Sequence, residues 1–130
     1  MNFFKGYVPT KDKKCIMPFK NKTSEELKSY EEVKDLDEFA GILADDIILI
    51  DIDDAEQSEI LMDIVEELQL NCRVYQTTRG KHFLFRNTTV ERCSTHSKLA
   101  IGLQADIKIG SRNSYSILKY KGSERFIEWD

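Results

Sequence analysis

The stretch "ILIDIDD", residues 48–54, places a continuous apolar run directly before a cluster of aspartates. The β-branched run 46–53 predicts a central strand that is covered on both faces. Successive side chains of a strand face opposite ways, so Asp51 and Asp53 should share one face while Ile52 enters the core. Like charges this close are costly unless a positive group, usually a metal ion, lies between them. The alternative is a strand end whose acids meet solvent or a helix N-terminus.

The chain after this strand predicts one helix and then a series of strands. Residues 55–70 place apolar side chains at helical spacing with acids on the other face, and Asp54 is the expected N-cap. The β-branched and aromatic content predicts strands at 72–78, 81–87, 105–110, 113–120 and 125–129. The short turn at 79–80 predicts a hairpin. The turns at 110–113 and 121–124 suggest that the later strands form a meander.

The chain before this strand predicts little regular structure. Residues 7–23 contain both prolines and a dense lysine group, which favours an extended segment. Two short helices are expected at 24–29 and 35–40, the first capped by Thr23 or Ser24. Together, residues 1–130 predict a single α/β (α+β) domain with a mainly antiparallel sheet and flanking helices.

Composition excludes several classes of protein. A chain of 130 residues with 41% hydrophobic and 32% charged residues is typical of one ordinary domain with a single core. No run of eighteen apolar residues and no leader pattern is present, so we expect a cytoplasmic protein without a membrane anchor. The odd number of cysteines, three, argues against a disulfide framework and predicts free thiols.

Charge is divided unevenly along the chain. Residues 1–70 contain 8 Lys and Arg against 18 Asp and Glu, a net charge of −10, whereas residues 71–130 contain 11 against 5, a net charge of +6. One interpretation is an acidic site for cations beside a basic surface for polyanions. The other is ordinary solvated faces, and composition leaves both open.

Three short motifs occur in an order that resembles one known family. The first is the strand that ends in Asp51-Ile52-Asp53, the second is Gly80-Lys81-His82 before "FLF", and the third is Asp106 in "ADIKIG", followed by Lys108. Each motif is weak alone, but the ordered set resembles the archaeo-eukaryotic primase superfamily. Within it, the chain is most similar to the primase-polymerase domains of phage and plasmid replication proteins.

The resemblance implies a fold and a set of site residues. It implies a primase palm resembling an RNA-recognition fold over residues 46–130, preceded by a segment with short helices at 1–45. It implies that Asp51, Asp53 and Asp106 are catalytic and bind two Mg²⁺ or Mn²⁺ ions. The expected contacts to a nucleoside triphosphate come from Arg79, Gly80, Lys81, His82 and Lys108.

The implied activity is primer synthesis or extension on single-stranded DNA by a DNA-dependent nucleotidyltransferase in phage or mobile-element replication. A helicase domain or protein of the same replication system is the expected partner, and the chain is expected to be the amino-terminal piece of a larger protein or a minimal stand-alone member. If the basic half binds the template, the DNA should cross Arg73, Arg86, Lys98 and Arg112.

Two alternative functions stay open at this point. The first is a catalytically inactive primase-like module that only binds nucleic acid or a replication partner. The second is a phosphatase of the haloacid dehalogenase type, which also has a D-x-D motif after a hydrophobic strand. Those phosphatases need a parallel sheet, however, and usually carry Thr or Val where this chain has Ala55.

Overall fold

The computed structural model describes residues 2–88, 90–91, 93–98 and 102–130, without the side chains of residues 95–98. The helices are α1 (Tyr30–Val33) and α2 (Ala55–Leu68), and Gly110–Arg112 forms a 3₁₀ turn. The strands are β1 (Phe4–Lys11), β2 (Lys14–Cys15), β3 (Phe39–Leu43), β4 (Ile47–Ile52), β5 (Arg73–Gln76), β6 (Lys81–Arg86), β7 (Ser94–Lys98), β8 (Gln104–Ile109), β9 (Tyr115–Tyr120), β10 (Ser123–Glu124) and β11 (Ile127–Trp129).

The strands form two sheets, and every strand pair in the described part of the chain is antiparallel. The first sheet has the order β11-β5-β6-β4-β8-β7, and the second has the order β10-β9-β3-β1-β2. In the first sheet, β4, α2 and β5 form a split β-α-β unit, because β6 lies between its two strands. The predicted α+β domain with a mainly antiparallel sheet is therefore confirmed.

The elements nearest the acidic motif match their predictions. Strand β4 spans Ile47–Ile52 within the predicted range 46–53, and α2 begins at Ala55 as expected. The helix ends at Gln69, whose left-handed conformation (φ 51°) terminates it. Strands β5 and β6 pair as the predicted hairpin.

The two short helices predicted before β4 are wrong. Residues 35–40 do not form a helix, because Phe39 begins β3, a strand in which every residue is buried. Residues 24–29 contain one hydrogen-bonded turn after Thr23, and Lys28 then pairs with Tyr7 of β1. The helix that does form, α1, is capped by Ser29. Periodicity alone does not separate a short apolar strand from a short helix, which explains the error at β3.

The predicted meander is also wrong, because β8 and β9 belong to different sheets. Strand β8 pairs with β4, whereas β9 pairs with β3. The chain crosses between the sheets at Gly110, where an added Cβ would lie 1.7 Å from the carbonyl oxygen of Ala44. Only glycine permits this close backbone approach. The second sheet thus joins strands from both ends of the chain.

Two apolar layers lie on the two faces of the first sheet. One face of β4 buries Ile48 and Ile52 against the α2 side chains Met62 and Val65. The other face carries Leu49 and packs against the second sheet in a cluster of buried residues, Phe3, Phe4, Val33, Phe39, Leu43, Ile47, Leu49, Tyr75, Leu84 and Leu118. Asp51 follows Leu49 by two residues on this second face, so the acidic motif lies where the inter-sheet core ends.

The cysteines are free, as predicted. Cys72 is buried, Cys15 is half-buried and Cys93 is exposed. Burial raises the pKa of Cys15 and of Cys72 to about 11, so both remain thiols at neutral pH. Among the described residues, no helix combines the length and the apolar character needed to cross a bilayer.

Candidate metal and nucleotide site

Three predicted site residues form one row across the first sheet. Asp51 on β4 is the direct register partner of His82 on β6 and of Asp106 on β8. Residues directly opposite each other in an antiparallel pair project from the same face of the sheet. The strand order β6-β4-β8 therefore brings together one residue from each of the three motifs.

The acidic side of this row opens into a small cavity of about 250 Å³ beside the start of α2. Its lining includes the carboxylates Asp51, Asp53, Asp54 and Asp106. Asp106 is far in sequence from Asp51 and Asp53, yet all three residues line this one cavity. Asp54 accepts a hydrogen bond of 2.8 Å from the backbone N–H of Gln57, which confirms its expected role as the N-cap of α2.

The donor set of this cavity suits Mg²⁺ or Mn²⁺, since both ions prefer oxygen ligands. Asp51 and Asp53 each lie beside a positive or proton-donating group. Asp53 forms an ion pair of 2.7 Å with Arg79, and the Asp51 carboxylate lies 3.4 Å from Nε2 of His82. Within the described residues, no three His, Cys, Asp or Glu side chains are grouped so as to hold a metal ion. The residue types fit a divalent ion, and closer approach of the carboxylates is needed to bind one.

The protonation of His82 follows from its contacts. Nη1 of Arg125 lies 3.2 Å from Nδ1 of His82, and Oγ of Ser116 lies 3.3 Å from the same nitrogen. A guanidinium only donates hydrogen bonds, so Nδ1 accepts and the ring proton belongs on Nε2. That nitrogen faces Asp51, to which it donates.

Electrostatics at the row agree with this arrangement. Burial lowers the pKa of His82, and the positive charges of Arg125 and Lys108 lower it further. Together these effects outweigh Asp51, which by itself would raise the pKa. Burial by itself would raise the pKa of Asp51, but the hydrogen bond from His82 and the charges of His82, Lys108 and Arg125 lower it. At neutral pH the pair is therefore a neutral imidazole beside an ionised carboxylate.

A second cavity, of about 470 Å³, lies on the other side of the row and has a cationic wall. Asp51 and His82 line it together with Lys13, Lys108 and Arg125. No ion pair of Lys13 or Lys108 occurs among the described residues. The row thus separates an acidic cavity from a basic one.

Comparison with family models, with curated proteins and with solved structures found no match for this chain. A functional proposal therefore rests on its motifs and on the geometry of its site.

The site contains residues that the sequence did not reveal. Arg125 was expected only as the first residue of a strand, yet it contacts His82 across the sheet interface. Ser116, on β9 of the second sheet, contacts the same ring. Lys13 comes from the turn between β1 and β2. No local pattern marks these positions, because each reaches the row from a different part of the chain.

Two predicted nucleotide contacts have structural roles. Lys81 precedes His82 and faces the opposite side of the sheet, where it is buried and forms ion pairs with Glu59 and Glu128. At Gly80 an added Cβ would lie 1.8 Å from the carbonyl oxygen of Ile52, so this glycine serves backbone packing against β4. The expected contact of Lys81 with a triphosphate does not fit this position, whereas the contact expected of Gly80 stays a prediction.

The other predicted basic residues lie apart from the row. Arg73 is partly buried, forms a 2.9 Å ion pair with Asp130 and lies over the ring of Phe3. Arg86 pairs with Ile47 and is thus four residues along β6 from His82, roughly 13 Å away. The predicted DNA surface therefore includes one residue, Arg73, that is already engaged within the protein.

Arg112 and Lys98 complete the predicted DNA surface. Arg112 is exposed and donates a 2.9 Å hydrogen bond from Nε to the carbonyl oxygen of Glu91. It follows the end of β8 that lies beside Ile48, the same end of the sheet as Arg86. The side chain of Lys98 lies outside the described part of the structure.

Proposed function

We propose that this chain is a metal-dependent nucleotidyltransferase of the primase-polymerase type, which adds nucleotides to a growing strand on a single-stranded DNA template. The observation that supports this proposal most directly is the row of His82, Asp51 and Asp106 across three strands. Each residue belongs to a different motif of the resemblance. The split β-α-β unit that carries the row also fits the expected palm.

The proposed roles follow the two sides of the row. Asp51, Asp53 and Asp106 would hold the divalent ions in the acidic cavity, with Arg79 released from Asp53. When bound, the ions supply acidification of the attacking hydroxyl and stabilisation of charge on the phosphate. Once Asp51 turns to the ions, the Nε2–H of His82 that faces it would be free to donate to a phosphate oxygen. Lys108 and Arg125 supply positive charge on the basic side, where the triphosphate would lie.

The proposal is tested by metal-dependent incorporation of labelled nucleotides on primed and unprimed single-stranded DNA, with Mg²⁺ or Mn²⁺. The wild-type chain should extend or initiate strands, and Asp51→Asn or Asp106→Asn should abolish incorporation. Asp54→Asn is the matched control, because Asp54 lines the same cavity but asparagine retains the N-cap of α2. Calorimetric titration with Mn²⁺ gives a second readout, in which only the first two variants should lose binding.

The inactive binding module is the second candidate, and one observation favours it. Asp51 and Asp53 already have partners in His82 and Arg79, as in a site that does not need a metal. A folded chain that binds single-stranded DNA but neither Mn²⁺ nor nucleotide would contradict the enzyme and support the module. The phosphatase alternative loses its basis, because the described strand pairs are all antiparallel.

A further inference from the structure

Two hairpin turns bring lysines to one aromatic ring at the end of the second sheet. Pro9 of β1 pairs with Phe39 of β3, which in turn pairs with Lys119 of β9. The carboxyl ends of β1 and β9 therefore lie at the same end of the second sheet. The turns that follow place the ammonium of Lys13 4.8 Å and that of Lys121 5.4 Å from the centre of the Tyr120 ring. These are cation–π distances.

An exposed aromatic side chain lies on the same cavity. Phe126 is 65% exposed, more than any other large hydrophobic residue in the described part of the chain, and it lines a cavity of about 340 Å³ with Lys13, Tyr120 and Arg125. Its backbone is fixed, because its carbonyl oxygen accepts a 2.9 Å hydrogen bond from Gln76. An apolar ring held in water on a fixed backbone is suited to contact a ligand.

This cavity continues into the site of the acidic row. Lys13 and Arg125 line both this cavity and the one that contains Asp51 and His82. Among the described residues, Glu124 is the only carboxylate that lines this cavity, and it accepts a 2.9 Å hydrogen bond from the hydroxyl of Tyr30. Positive charge therefore extends from the row to the aromatic rings.

We propose that Lys13, Tyr120, Lys121 and Phe126, here called the Tyr120 cluster, form a base-stacking site for single-stranded nucleic acid. The exposed Phe126 ring offers a face for an unpaired base, and the lysines that lie over the Tyr120 ring neutralise the adjacent phosphates. An apolar protein surface fits less well, since burying it here would desolvate both lysines, a residue type that is depleted at protein interfaces. The stacking site stands on these contacts alone. The further statement that the bound nucleic acid continues towards Asp51, Asp53 and Asp106 rests on the proposed function.

The binding test uses fluorescence anisotropy with labelled oligothymidylate and oligouridylate, about a dozen nucleotides long, a length suited to a short single-strand site. EDTA is present, so no metal-dependent chemistry contributes. Phe126→Ser should weaken binding about fivefold or more, since one base–aromatic stack contributes at least roughly that factor. Leu68→Ser is the matched control, because Leu68 is 63% exposed on α2, and it should bind as the wild type does. Comparison of the two oligonucleotides distinguishes DNA from RNA as the ligand.

The ring and the charges are tested separately. Tyr120→Leu should weaken binding and Tyr120→Phe should retain it, because phenylalanine keeps the ring over which both lysines lie. The double variant Lys13→Glu/Lys121→Glu should reduce the log–log salt slope by about 1.4, or 0.7 per phosphate contact. Glu66→Lys/Glu67→Lys, at two exposed positions of α2, should leave that slope nearly unchanged. Thermal unfolding of each variant shows whether it is folded.

The inference is overturned if the folded wild-type chain binds neither oligonucleotide, or if Phe126→Ser and Leu68→Ser bind equally well. It is also overturned if the folded lysine double variant has the same salt slope as the wild type. Failure of nucleotide incorporation with oligonucleotide binding intact would contradict the proposed enzyme only. Incorporation with binding that is insensitive to Phe126 would contradict the stacking site only.

Discussion

His82 is held in one protonation state by residues from both sheets. Arg125 donates to Nδ1, and Nε2 faces Asp51 at 3.4 Å. A second proton on the ring would have to displace the guanidinium from Nδ1. Burial acts in the same direction and lowers the pKa of His82. The imidazole therefore acts as a fixed donor towards the acidic side of the row.

The first prediction concerns stability against pH. The pKa of His82 is lower in the folded chain than its unfolded value of about 6.5, so the unfolded state binds more protons as the pH falls. The free energy of unfolding should thus decrease from pH 7.5 towards pH 5, by at most about 1.4 kcal/mol per pH unit from this group. Urea denaturation across this range measures it.

His82→Gln should reduce that pH dependence, because it removes the group whose pKa is lowered in the folded chain. Equal pH dependence in the wild type and in His82→Gln would contradict the assignment. The lowered pKa of Asp51 adds a separate loss of stability, which begins only as the pH falls below about 4, the unfolded value.

The second prediction isolates Arg125. Arg125→Met removes the donor to Nδ1 and one positive charge but keeps a long side chain, so the pKa of His82 should rise. NMR titration of the His82 ring carbons measures this pKa and also the tautomer. In the wild type, the neutral imidazole of His82 should carry its proton on Nε2. Lys119→Met is the control, because Lys119 donates to the carbonyl oxygen of Lys34 rather than to His82. It should leave the pKa and the tautomer of His82 unchanged.

Capping of α2 shows how one aspartate of the acidic motif acts on a whole element. Asp54 has an extended backbone and accepts from the N–H of Gln57, while Ser58 N–H bonds its carbonyl oxygen. This contact satisfies a backbone donor that the helix leaves without a partner. Asp54 therefore orients the helix that covers one face of β4.

The third prediction is that Asp54→Ala lowers the free energy of unfolding by about 1 kcal/mol, with a range of about 0.5–2 kcal/mol for loss of an N-cap. Asp54→Ser should retain most of the stability, because serine also caps helices. Chemical denaturation compares the three chains. A loss as large in the serine variant as in the alanine variant would show that charge, rather than capping, is what matters at this position.

The two sheets share one core, so the molecule should unfold as a unit. Leu84 of β6 is fully buried and packs in the inter-sheet cluster with Phe39 and Leu118 of the second sheet. The link between β10 and β11 also joins the sheets, since Arg125 N–H bonds the carbonyl oxygen of Leu118 and the Phe126 carbonyl oxygen accepts from Gln76. Loss of packing at one sheet therefore removes contacts of the other.

The fourth prediction is that Leu84→Ala lowers the free energy of unfolding by roughly 2–5 kcal/mol, as for other buried leucines. Fluorescence of Trp129, the single tryptophan, and far-ultraviolet circular dichroism should still give one coincident transition. Leu68→Ala, at an exposed position of α2, should have little effect. Separate transitions for the two probes would mean that the sheets unfold independently.

The sequence by itself determined the elements with strong periodicity and the order of the motifs. Strand β4, helix α2 and the β5–β6 hairpin were predictable, because each is a local pattern of apolar residues and turns. Alternation along β4 also placed Asp51 on the face away from Ile52. Lys81 follows the same rule, because neighbouring side chains in a strand face opposite ways. It was expected beside His82 at the triphosphate, but it lies on the other face of β6.

Only the tertiary structure decided which residues meet. The division into two sheets depends on the crossing at Gly110 and on pairing between β3 and β9, which are far apart in the chain. Arg125 and Ser116 reach His82 through that pairing, so no local pattern predicts them. Local sequence sets which way a side chain faces along its own strand, whereas its neighbours across the sheet and between the sheets are set by long-range register and packing.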